Sequence, residues 1–554
     1  MKTCGFLVIA ALSPVIFAAD TPRVGGRWVL NGAQSKSDFP LVAKMSIEQT
    51  STRVRMAQSD KDGHTAHSLQ GDCVIDGRTH AVPDADDETI ACRWEGAVLV
   101  TEQKWSGGKQ KRITRTSLNP EGMLVQDIRT TGPDGMKAGH LVWIKQTVAE
   151  PAPIPAPIPA PEDVADAPLA PPNATPSADN HQRIVPGIQP AVLHSLENFE
   201  VSLWASDFQA PRFMLQGRNG EVLLSDAGFD VNSTSPVKEN EKPAPNGTIY
   251  VFPDGDPTRR KALLTGLDRP YGLALWKDFL YVAEPESIKR YPYDGVALKA
   301  GRGQEVISLK GFGKGHWTRT LLFDEAGSKL YVGIGSQENA EEGEDSRRAA
   351  ISRYNPDGSG HEIFASGTRN PIGLHWYPST NTLWATVQER DGLGDSLVPD
   401  YFTHVEKGAF YGWPWTYIGH NQDPRMKAAP KELAEKTVEP DELLGSHVAV
   451  LDFRFYTGDQ FPPEFHGGAF LAMHGSWNSS KRDGYVVRFM PFRDGEPSGK
   501  GYDFVAGWTD SGDDKAVLGR PSGVFQAADG SLLISDDGSG RIWKVSYKTP
   551  KPTR

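Results

Sequence analysis

From Arg23 to about Gln146, apolar residues come in short alternating runs: RWVL, LVAKMSI, TRVRMA, CVIDG, AVLVTEQKW, MLVQDIRT and HLVWIK. Asp76-Gly77, Asn119-Pro120 and Pro133-Asp134-Gly135 separate them. Alternation with period two, punctuated by turn residues, predicts an antiparallel sheet closed into a small barrel over 20–148. From 149 to 185 the alternation stops, and proline stands at every second or third position of stretches such as PAPIPAPIPAPEDVADAP. Proline fixes φ and removes the amide donors that a sheet needs, so a semi-rigid polyproline spacer between two folded units is expected.

Beyond the spacer a weak repeat begins. Arg212 opens APRFMLQGRNGEVLLSD, Arg269-Pro270 opens a second unit, Arg319 a third, Arg369-Asn370-Pro371 a fourth and Arg520-Pro521 the last. Each unit has an arginine-bearing turn, an apolar strand, a tight turn at Gly, Asp or Asn, and a returning strand. Between the fourth and the last lies HVAVLDFRFYTG, then GGAFLAMHGSW and GYVVRFMPF, with the strands but without the arginine turn. Six such units at roughly 40–50 residues apiece predict a six-bladed β-propeller over 186–554. The loops at one end of a propeller converge on the axis, so the repeated arginines converge with them. Guanidinium groups gathered there would receive a small polyanion. A tie to the neighbouring turn is the alternative for each arginine, preferred for Arg212 and Arg269, with ligand binding preferred for Arg369 and Arg520.

Composition narrows this picture. The 57 Gly and 42 Pro in 554 residues agree with a turn-rich, mainly β chain. A net charge of -11 argues against a general nucleic-acid binder. The start, MKTCGFLVIAALSPVIFAAD, has the layout of a signal peptide over 1–19, with an uncleaved anchor as the alternative; no other segment is apolar enough to cross a membrane. A periplasmic or secreted location follows. Cys4 would leave with the signal, so Cys73 and Cys92 remain as a disulfide or as two buried thiols. There is no Cys-x-x-Cys-His, hence no c-type haem. His64, His67, His80 and His140 lack metal-ligand spacing.

Four motifs in fixed order carry a family resemblance: Gly315-His316 with Arg319, Gly367-Thr368-Arg369-Asn370-Pro371, Tyr411-Gly412-Trp413-Pro414, and Arg520-Pro521-Ser522-Gly523. From roughly Val185 onward the chain resembles the glucose/sorbosone dehydrogenase family, closer to its sorbosone branch. The resemblance implies an exported enzyme that oxidises a sugar or a sugar-derived aldehyde or alcohol with pyrroloquinoline quinone (PQQ) and Ca²⁺, passing electrons to a separate acceptor. It implies His316 as the base, Arg319, Arg369, Asn370 and Arg520 as cofactor residues, and Glu389, Asp391 and Asp395 as calcium ligands. The chemistry agrees in kind. A tricarboxylate quinone needs cations, hydroxyl oxidation needs a base of suitable pKa, and calcium takes oxygen ligands. On the residues alone, His316 could equally satisfy a backbone group in its turn, and the acidic loop could be a solvated one paired with Arg390. Two positions depart from the soluble glucose dehydrogenases: Ser336 stands where they have an acidic residue, and Lys481 and Arg482 are merely near where they have a quinone-contacting lysine. The start at Gly26-Arg27-Trp28 resembles a lipocalin-like barrel. Two other functions fit a propeller: a metal-dependent lactonase or other hydrolase, and a non-catalytic carbohydrate-binding module.

Overall fold

The computed structural model describes residues 26–145 apart from short gaps at 32–33, 39–43, 50–52, 60–70, 82–86, 121 and 134, and then 169–185, 192–228, 245–510 and 515–548. The expected signal segment and the most proline-rich part of the spacer lie outside the described residues. The chain divides into two compact units, Met1–Glu150 and Pro151–Arg554.

In the first unit the alternating runs form one antiparallel sheet. Neighbours in sequence are mostly neighbours in the sheet, and Gly26–Leu30 pairs with Gly135–Lys145. Ile75, just after the strand Gly71–Val74, bridges to Cys92 in Thr89–Glu95, and a Cys73–Cys92 disulfide joins the same two stretches. The sheet thereby closes on itself. Alternate residues Met45, Ile47, Leu124, Ile128, Leu141 and Trp143 fill the inside. Gln126, also inside, accepts from Trp143 Nε1 at 3.1 Å and donates to Thr116 Oγ1 at 3.3 Å, so each buried polar group finds a partner.

The second unit is a six-bladed β-propeller. Its inner strands are Pro211–Gln216, Leu273–Trp276, Arg319–Phe323, Asn370–Trp376, Val450–Phe455 and Pro521–Gln526, opening blades 1 to 6. Each adjoining pair of blades shares its own apolar cluster, for instance Phe213, Leu223, Leu273 and Leu280 between blades 1 and 2. Strands sandwiched in this way are buried on both faces, which is why they read as continuous apolar runs. A polar seam ties every pair near the axis: Ser225 Oγ to Tyr271 O (2.8 Å), Gly272 N to Arg319 O (3.0 Å), Thr320 Oγ1 to Ile372 O, Thr386 Oγ1 to Leu451 O (3.0 Å), Val524 N to Asp452 Oδ2 (3.2 Å) and Ser535 Oγ to Arg212 O (2.6 Å). The approach is close enough to require glycine. A Cβ on Gly272 would lie 2.4 Å from Arg319 O, and one on Gly523 2.5 Å from Arg212 O. The last blade is closed by a strand from the beginning of the unit, Phe199–Ala205, paired with Arg541–Tyr547.

One boundary differs from expectation. Residues 169–185, read as the end of the spacer, run along the propeller: Asn173 N donates to Leu393 O (2.7 Å), Asn180 N to Trp477 O (2.9 Å), and Arg183–Ile184 pairs in parallel with Ala516–Val517. The reason is local. After Pro176 no proline comes until Pro186, and Asn173, Thr175, Ser177 and Asn180 supply the donors and acceptors that the earlier repeat lacks.

Candidate active site at the mouth of the propeller

At the axis, Tyr271, Ile372 and Leu451 from three blades pack together beneath Trp317, whose ring meets Tyr271 edge-on at 6.1 Å. The guanidinium groups of Arg212 and Arg269 lie 5.2 and 5.9 Å from the Trp317 ring centre. Arg212 is 4 % exposed, pairs with Asp537 at 2.6 Å and has its Nε without a partner among the described residues. Asp537 also accepts from His474 Nε2 at 2.8 Å. Burial works to raise the Asp537 carboxyl, yet Arg212 and His474 hold it down at about 2. Burial, then Arg520, pushes His474 down to about 3. Arg520 itself donates from Nε to His474 O (3.2 Å) and from Nη2 to Gly475 O (2.6 Å), so its charge stands in the wall while these donors serve the backbone.

His316 is half-buried. Its Nδ1 lies 2.8 Å from Ser336 O and 3.2 Å from Ser336 Oγ. A carbonyl can only accept, so Nδ1 carries the proton and Nε2 keeps its lone pair. Burial, followed by the Arg369 charge, depresses the imidazole to about 3, which keeps it neutral. Ser336 therefore orients this histidine with neutral groups. Arg319 is fully buried and donates to the carbonyls of Pro285, His316, Thr318 and Phe312 at 2.7 to 3.2 Å. Expected as a cofactor residue, it instead braces the His316 turn. Gly335 admits the next neighbour: a Cβ there would lie 2.2 Å from Asn370 Oδ1 and 2.6 Å from His316 Cβ. Asn370 donates to Gln388 Oε1 at 2.9 Å, and its Oδ1 is buried without a partner.

Arg369, next in line, donates to Asn339 O (3.2 Å), Glu389 O (2.6 Å), Asn339 Oδ1 (3.0 Å) and Asp391 Oδ2 (3.0 Å). Asp391 Oδ1 accepts from Asn478 Nδ2 at 2.6 Å, with His447 Nδ1 at 3.7 Å. Burial opposes ionisation of Asp391, but Arg369 and His447 outweigh it and hold the carboxyl at about 2. His447 sits at the top turn of blade 5, the unit without an arginine. Sequence reading passed over His447, for which an interrupted arginine repeat with a histidine in the gap was the available signal, and took Arg212 for a tie to its neighbouring turn.

The residues expected to bind calcium are not brought together. Glu389 is buried against Arg390 (2.9 Å), which also bonds Asp423 (3.2 Å); Asp391 is paired with Arg369; Asp395 Oδ2 accepts from Ser480 N (3.1 Å). Gly392 and Gly394, at φ +83° and +105°, let the loop adopt turns that other residues rarely take. Among the described residues no three His, Cys, Asp or Glu side chains converge on a metal position. As side chains alone these three do not form one calcium site, although Glu389 Oε1 and Asp395 Oδ1 are buried without a partner among the described residues.

Comparison with known proteins bears on the propeller as a whole. The family described as Glucose / Sorbosone dehydrogenase matches residues 304–476, and a TrAA12-like family matches 418–548. An uncharacterised protein of Borreliella burgdorferi is 30% identical over 298 residues, 51% of this chain and 76% of its own length. An aldose sugar dehydrogenase of Escherichia coli is 27% identical over 163 residues, 26% of this chain and 42% of its own length. Among solved structures, the holo form of the pyranose dehydrogenase PQQ domain from Coprinopsis cinerea shares the fold with a TM-score of 0.51 at 17% identity, over 64% of this chain and 97% of that one. The match to residues 304–476 contains His316, Arg369 and Asn370, the side chains that the propeller assembles at its mouth. The chain belongs to the glucose/sorbosone dehydrogenase family.

Proposed function

We propose that the propeller is a PQQ-dependent dehydrogenase that oxidises a sugar or a sugar-derived aldehyde or alcohol, exported to the periplasm or medium and reoxidised by a separate acceptor. The observation that carries this reading is His316: a neutral imidazole of fixed tautomer, with Nε2 available, beside Asn370 Oδ1 and the Arg369 charge. The residues at the mouth fit a planar polyanion. Arg212 offers a buried, unpartnered Nε, Arg212 and Arg269 flank the Trp317 ring, and Arg369 and Arg520 add positive charge from the wall. When bound, the quinone supplies a two-electron acceptor. His316 Nε2 then takes the proton of the substrate hydroxyl as general base. Asn370 Oδ1 accepts a hydrogen bond from a second hydroxyl and orients the sugar. This reading routes no step through Ca²⁺, for which the loop 389–395 is the candidate site, and the metal-dependent lactonase alternative has no three converging side-chain ligands among the described residues. The barrel over 20–148 is assigned an accessory role in docking the acceptor or an envelope component.

Adding PQQ to the cofactor-free chain, with and without Ca²⁺, is expected to change the absorbance spectrum, raise the melting temperature and start dye-linked oxidation within a panel of sugars. His316→Gln should keep PQQ binding while lowering kcat by about 10²-fold or more. If PQQ produces neither spectral change nor stabilisation, the reading fails. If His316→Gln retains turnover, the base lies elsewhere.

A further inference from the structure

The strap formed by residues 169–185 touches the mouth at two points, and both lie on the same interaction. At the first, Thr175 Oγ1 accepts from Asp395 N (2.9 Å) and Ser177 Oγ from Gly394 N (3.1 Å), while Leu169 packs against Leu393, Leu397 and Tyr417. The backbones are so close that a Cβ on Gly394 would lie 2.5 Å from Thr175 O. This is the loop that presents Asp391. At the second, Asn180 N donates to Trp477 O (2.9 Å) and Asn180 Nδ2 to Ser479 O (3.0 Å), gripping the carbonyls on either side of Asn478. Arg482 closes the grip from outside by donating to Asn180 O and, at 3.2 Å, to Asn180 Oδ1; His181 stacks on Trp477 at 5.0 Å. Asn478 in turn holds Asp391 at 2.6 Å, and Asp391 holds Arg369 at 3.0 Å.

We propose that Thr175 and Asn180 are positioning residues for the cofactor and substrate site: the strap clamps both ends of the Asn478–Asp391 hydrogen bond and so fixes the Arg369 guanidinium beside His316. The proposal rests on the dehydrogenase reading for what the site binds, but not for the clamp itself. Two loops from different blades have no covalent reason to keep the registry of a single side-chain bond. A third segment bonded to both supplies one, at the cost of ordering a short stretch of chain. Because the strap continues directly from the proline-rich segment, the geometry of the site depends on chain outside the blades.

The test uses full-length variants. Asn180→Ala and Asn478→Ala are each expected to weaken PQQ binding, measured by equilibrium dialysis, on the order of tenfold. The double variant should lose little beyond either single one, because both act through the same bond. Thr175→Val should resemble Asn180→Ala, and Thr175→Ser, which keeps the hydroxyl, should restore wild-type affinity. Hydrogen exchange followed by mass spectrometry should quicken in 391–397 for Thr175→Val and in 476–482 for Asn180→Ala, with the other blades unchanged. Additive losses in the double variant, or unchanged exchange in both loops, would overturn the clamp. If the wild-type chain binds no PQQ, the dehydrogenase reading fails, and the exchange measurement still decides whether the strap holds the loops.

Discussion

At the scale of single residues, the protonation of His474 is set by burial and by the charges of Arg520, Asp537 and Arg212 around it. Burial and Arg520 depress it from 6.5 to about 3. The unfolded chain takes up this proton as pH falls through 6.5, whereas the folded chain refuses it until near pH 3. The contribution to stability is therefore complete above 6.5 and is lost as pH falls through that window. His316, depressed to about 3 by burial and Arg369, acts in the same direction. Asp400 opposes them: burial raises it above 3.8, so its contribution is largest below 3.8 and declines as pH rises. Unfolding in urea between pH 4 and pH 7 should thus show stability rising with pH, and His474→Gln should flatten the rise by up to one proton's worth of slope. An unchanged slope in that variant would mean that His474 titrates normally.

At the scale of elements, the glycines after the repeated arginines matter more than the arginines do for the ring. Gly272→Ala would thrust a Cβ to 2.4 Å from Arg319 O and 2.8 Å from Leu321 N, both backbone atoms that cannot swing aside. A cost of about 1–3 kcal/mol, read from denaturant midpoints, is expected. The strand and turn pattern of all six blades was legible in the sequence, because sandwiched strands must be apolar and their turns must not. His316, Arg369 and Asn370 were legible as motif residues. The acidic loop was not, since Glu389-Arg390-Asp391 displays charges but not their partners, which lie in Arg390 itself and in distant turns at Arg369 and Asn478. Nor was the strap, because its composition follows on from a proline repeat and its function depends on a few side chains at Thr175, Ser177 and Asn180. Arg212 was read as a tie and Arg369 as a ligand-binding group. The structure gives Arg369 four bonds within the chain and leaves Arg212 Nε unpartnered.

At the scale of the whole molecule, two units with separate cores are expected to unfold in two transitions. The Cys73–Cys92 disulfide, spanning 19 residues, belongs to one of them. Cys73→Ser should lower that transition by about 3 kcal/mol and leave the other in place; calorimetry with and without reductant checks it. The closure of the last blade bears on something that no static contact describes, the order of events during synthesis. Ser202, on the strand that completes the ring, bonds Lys544, 342 residues later. At about 5–20 residues per second, the earlier strand waits roughly 20–70 s for its partner to be made. Until then, five blades can assemble only as an open arc with an unsatisfied edge at each end. The largest unit thus keeps its lock in Arg541–Tyr547, and the ring closes only once that strand has been made and has met Phe199–Ala205.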